Sequence, residues 1–526
     1  MEGAEGESAA DICEPLLSSP WGKLSVLSKE SMASDKCTIF RAPALIRQRN
    51  KHLYEPQTVA IGPYGRRDDE PSLRAMELLK RRYLQEFLSH SSNCTIEDNV
   101  DEIQQLPSPN CSTIEDYGAE IQKLVPDVRG CYFEQVELNP VEFAEMLLLD
   151  GCFILEFLIK WKLGFGDSSF ASKWSLSLVH DDLLLLENQI PFCVLDKLFE
   201  RLKSTSDSSI PYSLMELLVY YLTRMSVESP EEETKSSKNG KQANCGTCWL
   251  ASHFWLAASH FWSPEQGTKK PEEETKEPQK WEAKNFDHLL HLYYECYVTA
   301  PQTDHSKLRT DPKDGDEKRF PRTIPSATEL LDAGVTIKKK KMKKKKKKNN
   351  ENENETHENR LSSFLDVAFE DGVLEIPFLS VEPSTLVRFS NLVAFEQCSG
   401  CKDGKAYMTS YAMFMNCLID KREDVAVLHQ RGILENNLAS DEELAVFFNQ
   451  LSDLAYIDYD DHYLAQLFRD VREYCGYPWP KWRAKLVRDY FSNPWAILSL
   501  FAAAVLLILT ILQTVYTVCS YYHPGN

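Results

Sequence analysis

A chain of 526 residues, 43% of them hydrophobic and 26% charged, holds enough apolar material for a sizeable core and excludes wholesale disorder. Its formal net charge of −20 argues against a general nucleic-acid binder, because most of the surface would repel a phosphate backbone. Fifteen cysteines, odd in number and thinly spread, do not match a small secreted disulfide scaffold and suit reduced thiols.

Residues 1–36 are rich in Ser, Glu and Ala and are expected to be disordered, and Met1 to Ala10 lacks the basic and apolar regions of a signal peptide. From Pro71 to Ser89, apolar residues at Leu73, Met76, Leu79, Tyr83 and Phe87 recur at the three- and four-residue steps of an amphipathic helix. Asn139 is positioned to cap a second helix, with Pro140 at its first position and Glu142 able to reach back. The apolar run Phe143 to Trp161 is interrupted by Glu145, Asp150, Glu156 and Lys160, too many charges for a bilayer span, so it reads as a core helix.

Leu183 to Leu186 and Phe192 to Leu202 predict two helical pieces broken at Gln189 to Pro191, and Leu214 to Thr223 predicts another. Asp181, Asp182 and Glu187 are candidate paired carboxylates for metal or acid–base work, but they read better as helix N-terminal charges and surface positions around the Leu183 to Leu186 run. Residues 229–285 look inserted, opening and closing on EEETK and carrying ASHFW twice. Within them Cys245, Cys248, His253 and His260 offer the donor types of a zinc site. The spacing is poor for one; redox use of the thiols and an incidental loop are the alternatives.

Ser326 to Glu329 and Ser440 to Glu443 are capping boxes, with Gly334 and Gly476 as helix ends. Leu365 to Phe369 and Val373 to Phe378 flank Asp371-Gly372, the signature of a two-residue hairpin turn. Between these features runs a basic tract, Lys338 to Lys341 and Lys343 to Lys348. Subtracting its ten charges from −20 leaves −30 for the rest of the chain. The tract is expected to open a solvated insert over 338–360. Contact with anionic lipid is a second reading for Lys338, Lys343 and Lys348, and a nuclear address or RNA contact a third.

From Trp495 to Cys519 there are about 25 residues without a charge, long enough to cross the ~30 Å hydrocarbon core. Leu500, Leu506 and Leu512 lie within this stretch, and Trp495 and Tyr516 suit its two interfaces. Lys481, Arg483, Lys485 and Arg488 precede the span, while 520–526 has no Lys or Arg, so the positive-inside rule places the N-terminal body in the cytosol. Acceptor patterns for N-glycosylation at Asn93, Asn110 and Asn354 point the opposite way.

The predicted architecture is therefore mainly α with a small β-hairpin element, an α+β body over 37–490, followed by one transmembrane helix. No Walker loop, dinucleotide glycine pattern, HExxH, nucleophile elbow or kinase motif set gives a reason to propose an enzyme or a cofactor.

Several blocks together resemble the plant family called domain of unknown function 247. They are CTIFRAPA from Cys37, IGPY from Ile61, MLLLDGCFILEF from Met146, LLLLENQIPFC from Leu183, RTIPSATELLDAGVT from Arg322, LEIPFLS from Leu374, NLVAFEQCS from Asn391, and Tyr490 to Cys519. The resemblance implies a plant protein with a C-terminal membrane helix and no established enzyme activity. Some grass members of the family are regarded as pollen-side self-incompatibility determinants, which makes recognition or signalling through a protein partner the leading expectation. An enzyme using a cleft in the helical body, or a structural adaptor, are the alternatives. Departures from the family's pattern lie at Gly65, where a His is usual, in 229–285 and in the lysine tract.

Overall fold

Local signals place the first helices. The Asn139 side chain accepts from the amides of Val141 and Glu142, and Glu142 returns a bond to the Asn139 amide, so the helix over Pro140–Lys162 begins at the expected cap. The helix Pro71–Ser89 likewise starts on its proline and buries Leu73, Met76, Tyr83 and Phe87.

This computed structural model describes residues 37–67, 70–90, 113–164, 173–204, 210–225, 286–298, 320–340, 363–399, 406–453, 455–478, 482 and 494–522. In chain order the helices before the first strand are α1 (Ala44–Arg49), α2 (Pro71–Ser89), α3 (Ile114–Gly130), α4 (Pro140–Lys162), α5 (Lys173–Asp182), α6 (Phe192–Ser204), α7 (Leu214–Met225), α8 (Leu289–Tyr297) and α9 (Ala327–Asp332). Four short strands follow, β1 (Thr336–Lys339), β2 (Ala368–Glu370), β3 (Val373–Ile376) and β4 (Leu379–Val381). Then come α10 (Pro383–Ser399), α11 (Tyr407–Leu418), α12 (Arg422–Gln430), β5 (Leu434–Asn436), α13 (Asp441–Leu451), α14 (Ala465–Gly476) and α15 (Pro494–Tyr522). The fold is mainly helical with a few short strands, as expected.

The chain divides into two compact units, one of residues 1–297 with 384–402, the other of 298–383 with 403–526. In the first, α4 is the central helix, packed by α2, α3, α6 and α7. Its buried positions run round the whole helix from Phe143 to Trp161, which explains an apolar run without an amphipathic stripe. Of the four charges that excluded a membrane span, Asp150 and Glu156 are buried with it, Lys160 is half-buried and Glu145 is exposed.

In the second unit β2 and β3 form the expected hairpin, paired Glu370 to Val373 across Asp371-Gly372. Both turn residues have positive φ, 49° and 77°, the conformation a two-residue turn needs and Asp and Gly accept. The strand before the turn begins at Ala368, not Leu365. Two parallel pairings were not anticipated: β1 with β3, and β4 with β5. Asp424 of α12 accepts from the amide and hydroxyl of Thr328, each at 2.8 Å, and fastens the start of α9.

β1 corrects the near edge of the expected insert. Lys338 and Lys339 are strand residues opposite Glu375 and Ile376, and Lys340 makes an ion pair of 2.8 Å with the buried Asp366. With the Lys340 amide also donating to the Ile376 carbonyl, the first three lysines of the tract, Lys338 to Lys340, belong to the body. Residues 341–360, the 229–285 segment, the first 36 residues and the three acceptor asparagines lie outside the described residues.

Helix α15 is long and apolar enough to cross a membrane from Phe501 to Cys519, and among the described residues none buries that stretch.

Candidate functional site

Leu183 to Leu186 does not form a helix. Helix α5 ends at Asp182, and the next nine residues run as turns and extended chain to Pro191, with every side chain from Asp182 to Phe192 buried. A buried stretch without helix or sheet must find partners for its peptide groups elsewhere. Here side chains supply them. The Gln189 carboxamide donates to the carbonyls of Leu183 and Leu185 at 2.9 and 2.8 Å and accepts from the amide of Leu290 at 3.1 Å. Asn391, in α10, accepts from the amide of Leu186 at 2.8 Å and donates to the carbonyl of Leu53 at 2.7 Å.

The same stretch holds the segment 57–62. Asp182 accepts from the amides of Gln57, Thr58 and Val59 at 2.9, 2.7 and 2.8 Å. Asn188 accepts from Ile61 at 2.7 Å and donates to the carbonyls of Val59 and Asp182. Gly62 donates to Asp150 at 2.8 Å. Its φ is 69°, and a Cβ there would stand 2.5 Å from the Gln189 carbonyl, so both the turn and the close approach require glycine. Glu187 accepts from the amide of Ala42 and pairs with Arg47, at 3.1 and 3.0 Å.

Asp182 and Glu187 are thus interior groups rather than helix-start and surface charges. Asp182 closes α5 and faces amide donors, a setting that periodicity does not reveal. Burial pushes its carboxyl up to about 7, against the pull of the three amides. Burial also raises Glu187, against Arg47, the Ala42 amide and Arg41.

Beneath this layer Asp150 joins an ion cluster. Lys80 reaches it at 2.7 Å and Arg66 at 2.8 Å, and both cations also meet Glu77, at 2.7 and 3.3 Å. Lys80 donates to the Ala60 carbonyl as well. Burial would raise the Asp150 carboxyl, but Arg66 and Lys80 outweigh it and hold the group below its usual value. Elsewhere in the unit His180 lies against Trp161, Phe157 and Tyr221, with Nδ1 2.7 Å from the Tyr221 hydroxyl. Burial lowers it to about 3, so the ring is neutral.

Chemically, these carboxylates and carboxamides are committed to backbone groups and to the cations Arg47, Arg66 and Lys80. They define the path of two chain segments, 41–62 and 182–191. None of Lys80, Arg66, Asn188 or Gln189 was singled out from the sequence. For Asn188 and Gln189 the signal was a group of polar residues, ENQ, set inside an apolar run; Lys80 and Arg66 gave none.

The residues that were singled out fall elsewhere. Cys245, Cys248, His253 and His260 lie outside the described residues, as do Lys343 and Lys348. Lys338 is an exposed residue of β1. Trp495, Leu506, Leu512 and Tyr516 are exposed along α15, and Leu500 is a residue of the same helix. Among the described residues no group of three or more His, Cys, Asp or Glu is placed to hold a metal ion.

The sequence profile of a family described as plant protein of unknown function matches residues 39–509. The UPF0481 protein At3g47200 of Arabidopsis thaliana is 27% identical over 516 residues, covering 96% of this chain and 91% of that protein. A second UPF0481 protein of Arabidopsis thaliana, At3g02645, is 23% identical over 528 residues, covering 93% and 91%. No solved structure matches.

Proposed function

The chain belongs to the plant family called domain of unknown function 247, and from that premise we propose that it is a membrane-anchored recognition protein, its body on the cytosolic side and engaged by a protein partner. The carrying observation is helix α15, whose apolar stretch Phe501 to Cys519 is not buried by any of the described residues. A lipid bilayer supplies such cover at this length. The basic residues Lys481, Arg483, Lys485 and Arg488 before the helix support the cytosolic placement. The buried polar groups of the first unit support a recognition role, because they hold irregular chain in fixed paths, and binding residues commonly sit on loops over a rigid scaffold. Self-incompatibility is the particular form of recognition that the family resemblance suggests. The lysines from 343 to 348 are the residues that anionic lipid would attract.

The test is proximity labelling from the N-terminus in the plant's own tissue, combined with peptide N-glycosidase treatment. Cytosolic partners should be labelled and mobility should not change. A glycosidase shift abolished by Asn→Gln changes at Asn93, Asn110 and Asn354 reverses the orientation, and labelling no richer than that of an unrelated tail-anchored protein overturns the recognition role.

A further inference from the structure

Helix α15 is not uniform around its circumference. At about 100° per residue, Ser499, Thr510, Gln513, Thr514 and Thr517 fall within one arc of roughly 100°, together with Ala503 and Leu506. These are all the Ser, Thr and Gln residues between 499 and 519. The opposite face carries Phe501, Ile508, Leu512 and Val515, each more than half exposed and wholly apolar. Along the polar arc, 499, 503, 506, 510, 513 and 517 alternate steps of four and three, the spacing of a seam between two helices crossing at about 20°.

The polar groups on this arc are not equivalent. Thr510, Thr514 and Thr517 each donate to the carbonyl four residues earlier, of Leu506, Thr510 and Gln513, at 2.8 Å. Their hydroxyls are satisfied within one helix, leaving methyl groups to face outward. Gln513 differs. Its carboxamide makes no hydrogen bond to any described residue, and it sits four residues inside Thr517 on a stretch that would lie in hydrocarbon, where an unmet amide is costly.

We propose that this arc is the surface on which two copies of the chain pair in the membrane, in parallel and in register, with the two Gln513 carboxamides bonded to each other. The proposal rests on the anchor reading above. It commits to a second copy because a two-fold axis sets each residue against itself, and a carboxamide, having both donor and acceptor, complements its own copy. Two copies inserted by the same signal also share one orientation. The arc bears no charge that would select an ionised partner, and Ala503 lets the two backbones come close in the first half of the helix.

The test uses the full chain fused at its N-terminus to donor or acceptor fluorescent proteins and co-expressed in plant membranes. Energy transfer should rise with acceptor density above that of an unrelated tail-anchored protein. Gln513→Leu should weaken association by about three- to twentyfold, while Gln513→Asn, which keeps the amide, restores most of it and Ile508→Leu leaves it unchanged. Carbonate extraction of the same membranes separates the two readings. Release of the wild-type chain overturns the anchor and the pairing with it. Retention with no excess transfer, or with transfer indifferent to Gln513→Leu, overturns the pairing alone and assigns the arc to another protein's helix.

Discussion

Two leucine-rich runs, Leu183 to Leu186 and Leu506 to Leu509, are nearly alike in composition and opposite in fate. The first is buried, irregular and held by the side chains of nearby Gln189 and distant Asn391; the second is helical and exposed. What separates them is how their peptide groups find partners. In α15 each amide meets a carbonyl of its own helix, so the segment needs nothing polar from outside and suits hydrocarbon. Around Leu183 the polar residues Asp182, Asn188 and Gln189 take over the role of regular structure, which ties that run to one place in one fold. Apolarity alone therefore does not identify a membrane segment; backbone hydrogen bonds satisfied within the segment are a second requirement.

Removing Trp495 to Asn526 gives the largest expected effect on this contrast. The truncated chain should move from the carbonate-washed membrane pellet to the soluble fraction; its recovery in the pellet would place the membrane contact elsewhere. Next comes Gln189→Leu, which strips the Leu183 carbonyl and the Leu290 amide of their partner and leaves the Leu185 carbonyl with the Asn188 amide alone. With ~1–3 kcal/mol for each of the two buried orphans, the loss should be on the order of 2–5 kcal/mol, read as a lowered unfolding midpoint of the detergent-solubilised chain. A loss below about 1 kcal/mol would show that the run does not depend on its side-chain partners.

The pH dependence is smaller and has a definite sign. His180, lowered to about 3, and His288, lowered to about 4, stay neutral in the folded state at pH values where their unfolded counterparts take up protons. Burial is the main cause at both. Their stabilisation is complete above about pH 6.5 and is lost on acidification. Asp182, raised to about 7, has the opposite sign: its share is complete below about pH 4 and declines as pH rises to 7. Between pH 5 and 6 the histidines outnumber it, so these three groups together destabilise the first unit on acidification. His180→Phe should lessen that slope by one proton, about 1.4 kcal/mol per pH unit. An identical slope in the variant would show that His180 is charged in the fold.

The smallest effect belongs to the lysines. A Gly-Ser linker in place of Lys341 to Lys348 should change the unfolding midpoint by under about 0.5 kcal/mol, whereas Lys340→Ala, which removes the ion pair to the buried Asp366, should cost more. Equal losses would place the whole tract in the fold.

Much of the fold was legible because it is announced locally. Asn139-Pro140, Ser326 to Glu329 and Asp371-Gly372 act within a few residues of themselves, and each marks the helix or turn expected. The parallel pairs were not legible: β1 meets β3 across residues 336 and 373, β4 meets β5 across 379 and 434, and strands of three or four residues are too short to display alternation. The polar layer was missed for a related reason. Nothing beside Asp182 in sequence shows that its acceptors will face Gln57 to Val59, and an acid near a helix end reads equally well as a surface charge.

Asn391 also bears on the order in which the chain can fold. Its side chain bonds the carbonyl of Leu53, 338 residues earlier, and the amide of Leu186, 205 residues earlier. At ribosomal rates of about 5–20 residues per second, Leu53 waits roughly 17–70 s for this partner to be made. During that interval the segment around Leu53 has only part of its final enclosure, and closing so long a loop is slow. The nascent chain is thus a prolonged client for chaperones, and the yield of folded protein should respond to translation speed upstream of Asn391 more than downstream of it.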